Sequence, residues 1–307
     1  MIYAYAIEPE AVVAWTELNR YRLLVGQFGL GTPRVLLELP DLADWEGLVI
    51  AAASALGLSE LEWKRLDELI ERLRERRARR RSATFVNEVA WLENAEAEHD
   101  RRPFEAIIAL DNPRKCKAVI LDKHLGDPGN PKWEKPLGVT SERSPEALAK
   151  TVAAMLQDAD ELHFVDRYFD PDKYENRRVM EAFLQTMMDG RTVPPTKVVL
   201  HCDDKLSKAQ FEEKARKMIP GIPAGSSLEF LRWKERLGGE KFHNRYILTD
   251  IGGVTFGISL RQGEKGESDD INIMGRGQYI KRWEQFFGVT PAFDLVDRPV
   301  SIVGRKI

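Results

Sequence analysis

The sequence predicts an α/β protein in which a mixed β-sheet is flanked by helices, most clearly in its C-terminal half. Three observations predict it. From residue 161 onward, strand-like and helix-like segments alternate. After residue 227, strand-like segments follow one another directly, which a purely parallel sheet does not permit. Apolar residues make up 43% of the 307 positions, enough for a sizeable core. The length suits two domains, and the reading places an N-terminal α/β or α+β domain at 1–140 and a second domain at 141–307.

The N-terminal elements follow from periodicity. Ile2 to Ile7 alternates as a strand and Glu10 to Phe28 reads as a helix. Arg34 to Pro40 is a second strand ended by proline. Trp45 to Arg81 is helical with a break at Gly57-Leu58-Ser59, where Ser59 and Glu62 have the spacing of a capping box. This helix ends in seven arginines between Arg72 and Arg81. Basic residues suit a helix C-terminus, but seven exceed what capping needs. A nucleic-acid or acidic-partner patch stands beside the solvated helix end as a reading. Phe104 to Asp111 and Lys117 to Asp122 read as strands, and Gly126 to Lys135 as a loop. Gly29-Leu30-Gly31 lacks a lysine and is a turn.

In the C-terminal half, Ser144 caps a helix starting at Pro145. Strands are expected at Glu161–Phe169, Thr196–Cys202, Ser227–Trp233, Lys241–Thr249 and Val254–Leu260. Helices are expected at Asn176–Met188 and, capped by Ser207, at Ser207–Ile219. Gly252-Gly253 turns the last two strands.

Composition narrows the function classes. The net charge of −3 leaves nucleic-acid contact to local patches. Two cysteines, Cys116 and Cys202, give neither a disulfide framework nor a zinc spacing. His99, His124 and His163 have no companions at metal-ligand spacing and read as structural. No signal peptide or membrane span is evident, so no membrane association is expected and a cytoplasmic location is.

The segment Phe242-His243-Asn244-Arg245-Tyr246-Ile247-Leu248-Thr249-Asp250 carries chemistry. On a strand, residues two apart share a face, so His243 and Arg245 are expected side by side: a nucleophile or base next to a phosphate-binding fork. Lys241 would add charge on that face. An imidazole beside a fixed cation suits a phosphodiester and not a metal, which the cation repels. His201 and Asp203, like Asp166 and Tyr168, end strands where α/β sites are often edged. Polar strand ends or rim packing are the plainer reading for each, with an aromatic at Tyr168 able to stack on a base.

This segment resembles the HKD motif of the phospholipase D superfamily: histidine, any residue, lysine, four residues, aspartate, and six more to a glycine, here Gly257. Ser259 follows closely, and the strand with Asp166 to Pro171 is similar to the first strand of a phospholipase D-like half. The resemblance covers roughly residues 145 to 290. It departs from the family in three ways. Arg245 replaces the lysine, no asparagine follows Ser259, and one motif is present instead of two. Arg261 or Gln262 would replace the missing donor.

The resemblance implies a phospholipase D-like fold for the C-terminal half and a metal-independent phosphodiesterase with no cofactor. His243 forms a phosphohistidine and a second histidine protonates the leaving oxygen. With one motif per chain, that second histidine comes from the partner in a homodimer. Arg245 is the phosphate cation and Asp270, in the acidic run Glu267–Asp270, the imidazole-orienting carboxylate. Ser259, Arg261, Gln262 and Lys241 bind substrate, and Asp250 and Gly257 shape the motif. Single-motif members of the family are commonly nucleases, some in bacterial restriction or antiviral defence, so DNA or RNA is the expected substrate. The patch Lys205, Lys208, Lys214, Arg216, Lys217 would track its backbone. The alternative is a catalytically inactive nucleic-acid-binding or assembly module of a larger complex. Lipid hydrolysis ranks last, since no amphipathic anchor is evident. The N-terminal half is left with substrate, further protein partners or regulation.

Overall fold

The computed structural model describes residues 1–80 and 83–305. The chain divides between Pro136 and Leu137 into two compact units, Met1 grouping with the second; the sequence reading put the boundary at 140/141.

The first unit is an α/β layer structure. Its strands are β1 (Tyr3–Ile7), β2 (Arg34–Leu37), β3 (Arg77–Ala78), β4 (Ala106–Ala109) and β5 (Val119–Leu121). They form one parallel sheet in the order β3-β2-β1-β4-β5. A parallel sheet needs both faces covered, and all four residues of β2 and of β4 are buried. The helices are α1 (Pro9–Ala14), α2 (Leu18–Leu24), α3 (Leu42–Leu56), α4 (Glu60–Arg74) and α5 (Trp91–Arg101). Trp15, Trp45, Leu66 and Leu69 close one core over Tyr5, Ile7, Leu36 and Ile108.

Local chemistry explains most boundaries. The expected helix over 10–28 is two helices, because the Glu17 carboxylate accepts the Asn19 and Arg20 amides and starts a second one. Gly57 adopts the left-handed conformation that ends α3, and Ser59 and Glu62 form a capping box on α4. Helix α5 had no counterpart in the sequence reading.

The arginine run is built into this unit. Arg74 pairs with Glu46 at 2.8 Å, Arg77 and Arg79 pair with Glu38 at 2.6 and 3.1 Å, and Arg72 faces Glu75 at 3.5 Å. Arg76 is fully buried and donates to the Thr32 carbonyl, while Arg80 reaches Glu98 and the Arg102 carbonyl. Several arginines of the run are thus paired within this unit, while Arg72, Arg74, Arg77 and Arg79 keep exposed side chains; Arg81 lies outside the described residues.

The second unit carries a mixed sheet of nine strands. They are β6 (Gly138–Glu142), β7 (Glu161–Val165), β8 (Lys197–Asp203), β9 (Ser227–Glu235), β10 (Arg245–Thr249), β11 (Gly252–Phe256), β12 (Ser268–Ile273), β13 (Phe293–Leu295) and β14 (Val300–Val303). The order is β13-β9-β8-β7-β10-β11-β12-β6, with β14 also on β9. Strands β7, β8 and β9 are parallel; every other pairing is antiparallel. The helices are α6 (Pro145–Thr151), α7 (Ala153–Asp158), α8 (Tyr174–Met188), α9 (Lys208–Ala215) and α10 (Arg276–Phe287). Consecutive residues of β7 show the two faces: the Phe164 ring stacks on Phe183 of α8 at 5.5 Å, and His163 packs on Phe287 of α10 at 4.3 Å. No described helix is long and apolar enough to cross a membrane.

Candidate active site

Because β10 runs antiparallel to β7, its first residues lie at the carboxyl end of the parallel strands. Tyr246 pairs with Val165, so Arg245 opens β10 where Asp166 to Tyr168 leave β7. Strand β11 ends at the same edge, with Phe256 opposite Arg245 and Gly257 to Ser259 beyond it. The loop from β9 to β10 carries His243 there too. Three chain segments, 166–168, 243–245 and 257–259, thus converge at one sheet edge.

The strand expected over 241–249 begins only at Arg245, so His243 and Arg245 are not brought together by strand alternation. They are brought together by Tyr168. The His243 imidazole meets its ring edge-on at 6.3 Å between centroids, and the Arg245 guanidinium lies over it at 5.2 Å. Lys205 and Arg167 also lie over this ring, at 4.9 and 5.7 Å. His243 is exposed and Arg245 half-buried. The Arg245 Nε is buried and without a hydrogen bond among the described residues, and the ion-pair partner Asp166 stands 4.0 Å from it.

Asp166 organises the edge. Fully buried, it accepts the Ser259 hydroxyl at 2.6 Å and the Leu260 amide at 2.9 Å on one oxygen, and the Tyr168 amide at 3.0 Å on the other. Ser259 is therefore engaged with Asp166. Gly257 donates its amide to Asp269 Oδ1 at 2.8 Å, and a Cβ there would stand 2.7 Å from that oxygen, which explains the glycine by close approach. Asp250 accepts the Asp160 and Glu161 amides at 3.0 and 3.1 Å, tying the turn after β10 to the start of β7.

The other expected residues are placed elsewhere. Most of the acidic run Glu267–Asp270 lies in strand β12 (Ser268–Ile273), which the sequence reading did not anticipate. Ile271 pairs with Phe256, which pairs with Arg245, so Ile271 and Asp269 share the face of Arg245 and Asp270 points away from it. The Asp270 carboxylate takes the Thr140 hydroxyl at 2.6 Å instead. No described contact joins the Asp270 carboxylate to His243, and its neighbour Asp269 holds the Gly257 amide. Lys241 is exposed and pairs with Glu235 at 2.9 Å. Arg261 is exposed, its carbonyl taken by Arg143, and the Gln262 amide is held by the Glu175 carbonyl. No described contact joins their side chains to His243.

Two residues missed in the sequence reading position the loop. Glu235, at the end of β9, accepts the Phe242 amide at 3.0 Å and the Lys241 ammonium, and pairs with Arg167. The Lys241 hydrogen bond, with that of the Phe242 amide and the charge of Arg167, holds the Glu235 carboxyl below its usual range. Phe242 plugs into Phe286 and Phe293 at 5.7 and 5.2 Å. A carboxylate ending a strand eight residues before an exposed histidine gave no sequence signal, because its partners are set by the return of the chain.

His201 and His163 lie inside the fold, not in the cleft. The Trp233 indole N–H donates to His201 Nδ1 at 2.9 Å, and His201 Nε2 meets His163 Nδ1 at 3.1 Å. The indole donor requires the Nε2–H tautomer of His201, which then donates to His163. Burial lowers both pKa values, that of His163 to about 3. The lysine patch is largely matched: Lys214 and Lys217 pair with Asp172, and Lys208 with Glu212. No group of three or more His, Cys, Asp or Glu side chains is arranged to hold a metal among the described residues.

No protein-family model and no curated protein sequence matches the chain. Among solved structures, that of TrmBL2, described as an archaeal chromatin protein with a novel mode of DNA binding, is similar at 16% identity with a TM-score of 0.25. The match covers 50% of this chain and 54% of that one, so this chain aligns with about half the length of its neighbour. An overlap that low bears on neither fold nor function.

Proposed function

We propose that the second unit is a metal-independent phosphodiesterase of the phospholipase D type, acting on nucleic acid through His243. One observation carries the reading. An exposed imidazole and an arginine whose nearest ion-pair contact is long flank the same tyrosine ring at the carboxyl edge of the sheet. That arrangement offers a nucleophile close to a forked phosphate donor. His243 attacks phosphorus, the P–O bond to the leaving oxygen breaks, and water then attacks the phosphohistidine to release the phosphate and restore the ring. The leaving oxygen needs a proton, and the exposed position of His243 leaves room for a second His243, from another copy, to supply it. Asp166 and Ser259 keep Arg245 and Tyr168 in register.

A second reading has its own observation: Asp270 is turned away and no carboxylate bonds the His243 ring among the described residues, which suits a nucleic-acid-binding module without turnover. The test is cleavage of labelled DNA and RNA in EDTA. Turnover that survives the chelator and is abolished by His243→Ala supports the enzyme. Turnover lost in EDTA, or kept in His243→Ala, defeats it. Binding without turnover in the intact protein supports the module.

A further inference from the structure

Against Tyr168, beside the candidate nucleophile, the surface opens into a pocket of about 210 Å³. Its walls include Tyr168, Pro171 and Phe211, and its rim carries Arg167, Lys173 and Lys205. Two carboxylates, Asp170 and Asp203, share the lining. Asp203 pairs with Lys205 at 3.2 Å and faces Arg167 at 3.7 Å, while Lys173 has no carboxylate partner among the described residues. The platform is rigid: Asp166 holds the Tyr168 amide, and the Arg167 carbonyl accepts the Asp203 amide at 3.3 Å.

We propose that this pocket receives one unpaired nucleotide next to the scissile phosphodiester, its base against Tyr168 and its phosphate at Lys173. The inference rests on the phosphodiesterase reading for the position of that bond and adds the class of substrate: a single strand, a flap or a frayed end. The argument is one of chemistry. Aromatic and proline walls select a flat apolar face, and the cationic rim selects an anion. A nucleotide is both. A base inside a duplex shows only its edges in the grooves, so its face reaches a side pocket only when unpaired. Tyr168 touches the reacting residues directly, so the pocket and the reacting phosphate belong to adjacent nucleotides.

The experiment measures binding by the full chain carrying His243→Ala, to prevent cleavage, using fluorescence anisotropy. The probes are a labelled oligothymidylate, the same length of fully abasic strand, and a duplex. The expected result is a loss of about 5- to 100-fold in affinity on removing the bases. Tyr168→Ala removes most of that difference and Tyr168→Phe keeps it. Lys173→Gln lowers the salt slope by about one phosphate contact. Equal affinity for the thymidylate and abasic strands, or a duplex that competes as well as the single strand, overturns the proposal, and neither result depends on a Tyr168 variant folding. Cleavage by the unsubstituted protein in EDTA separates the two claims. Base-dependent binding without turnover keeps the pocket and removes the enzyme. His243-dependent turnover with KM unchanged by Tyr168→Ala keeps the enzyme and removes the pocket.

Discussion

The Ser259 hydroxyl donates to Asp166 Oδ2 at 2.6 Å, and both side chains are buried. This bond ties the turn after β11 to the end of β7, and the Leu260 and Tyr168 amides converge on the same carboxylate. Ser259→Ala removes one hydrogen bond to a buried charge and is expected to cost about 1.5–3 kcal/mol; Asp166→Ala strands three donors and costs about 3 kcal/mol or more. Urea unfolding of both variants checks the order. A Ser259→Ala cost below about 0.5 kcal/mol would show that the tie is not formed.

The neighbouring acids Asp269 and Asp270 are expected to behave oppositely. Asp269 is buried and holds the Gly257 and Ile258 amides at 2.8 and 3.3 Å. Asp270 is exposed and meets one hydroxyl. Asp269→Ala is expected to cost about 2–4 kcal/mol and Asp270→Ala less than about 1 kcal/mol. Gly257→Ala drives a methyl group onto Asp269 and costs about 1–3 kcal/mol. Thermal unfolding of the three variants reads this; equal effects at 269 and 270 would contradict the strand alternation.

The same pair shows what was legible in the sequence. Capping residues such as Ser59, Ser144 and Ser207 act within one turn, so their helices start where local chemistry says. The spacing from His243 to Gly257 spans one strand–turn–strand unit, and Gly257 has a contact that only glycine fits. Strand β12 was not legible. Its alternation of Ser268, Asp270 and Asn272 with Asp269 and Ile271 carries too few apolar residues to signal a strand, and pairing on both sides by β11 and β6 overrides that deficit. The face taken by each aspartate follows from this pairing, which is why the orienting carboxylate could not be placed. The partners of the arginine run were illegible for a related reason: Glu38, Glu46 and Glu98 meet it only after folding.

Acid sensitivity should come partly from the histidine pair. Unfolded histidine titrates near 6.5, whereas burial keeps His163 down to about 3 and lowers His201 as well. Between those values the unfolded chain binds protons that the folded one refuses, so stability falls as pH falls from about 6.5, by about 1.4 kcal/mol per unit for each histidine. Urea unfolding at pH 7.0, 6.0 and 5.0 reads the slope. His163→Leu shifts the whole curve and is expected to remove about half of the histidine contribution; an unchanged slope would mean that the pair is protonated inside the fold.

The loop that presents His243 should depend on Glu235. Its carboxyl is held low by Lys241, the Phe242 amide and Arg167, so the anchoring is present at neutral pH and is lost as pH falls below the ordinary glutamate range. Glu235→Ala is expected to cost about 1 kcal/mol, since the pair is partly solvated. It should speed hydrogen exchange at Phe242 about five-fold and lower turnover more than binding. Native-state exchange that leaves the Phe242 amide protected would assign the anchoring to Phe242 packing alone.

On the proposed phosphodiesterase reading, Arg245 decides whether the guanidinium geometry or only its charge matters. The side chain lies over Tyr168 with Asp166 at 4.0 Å, a distance too long for a hydrogen bond, so the fork remains available for phosphate oxygens. Arg245→Ala is expected to lower kcat/KM by about 100-fold or more, comparable to the loss of a donor that stabilises a charged transition state. Arg245→Lys keeps the charge but loses the paired N–H groups, and its shorter reach draws the ammonium toward Asp166. It should retain measurable turnover at about a tenth of the original kcat/KM, with KM little changed. If Arg245→Lys equals Arg245→Ala, bidentate geometry is essential; if Arg245→Ala cleaves like the unsubstituted protein, phosphate is held elsewhere and His243 acts without it.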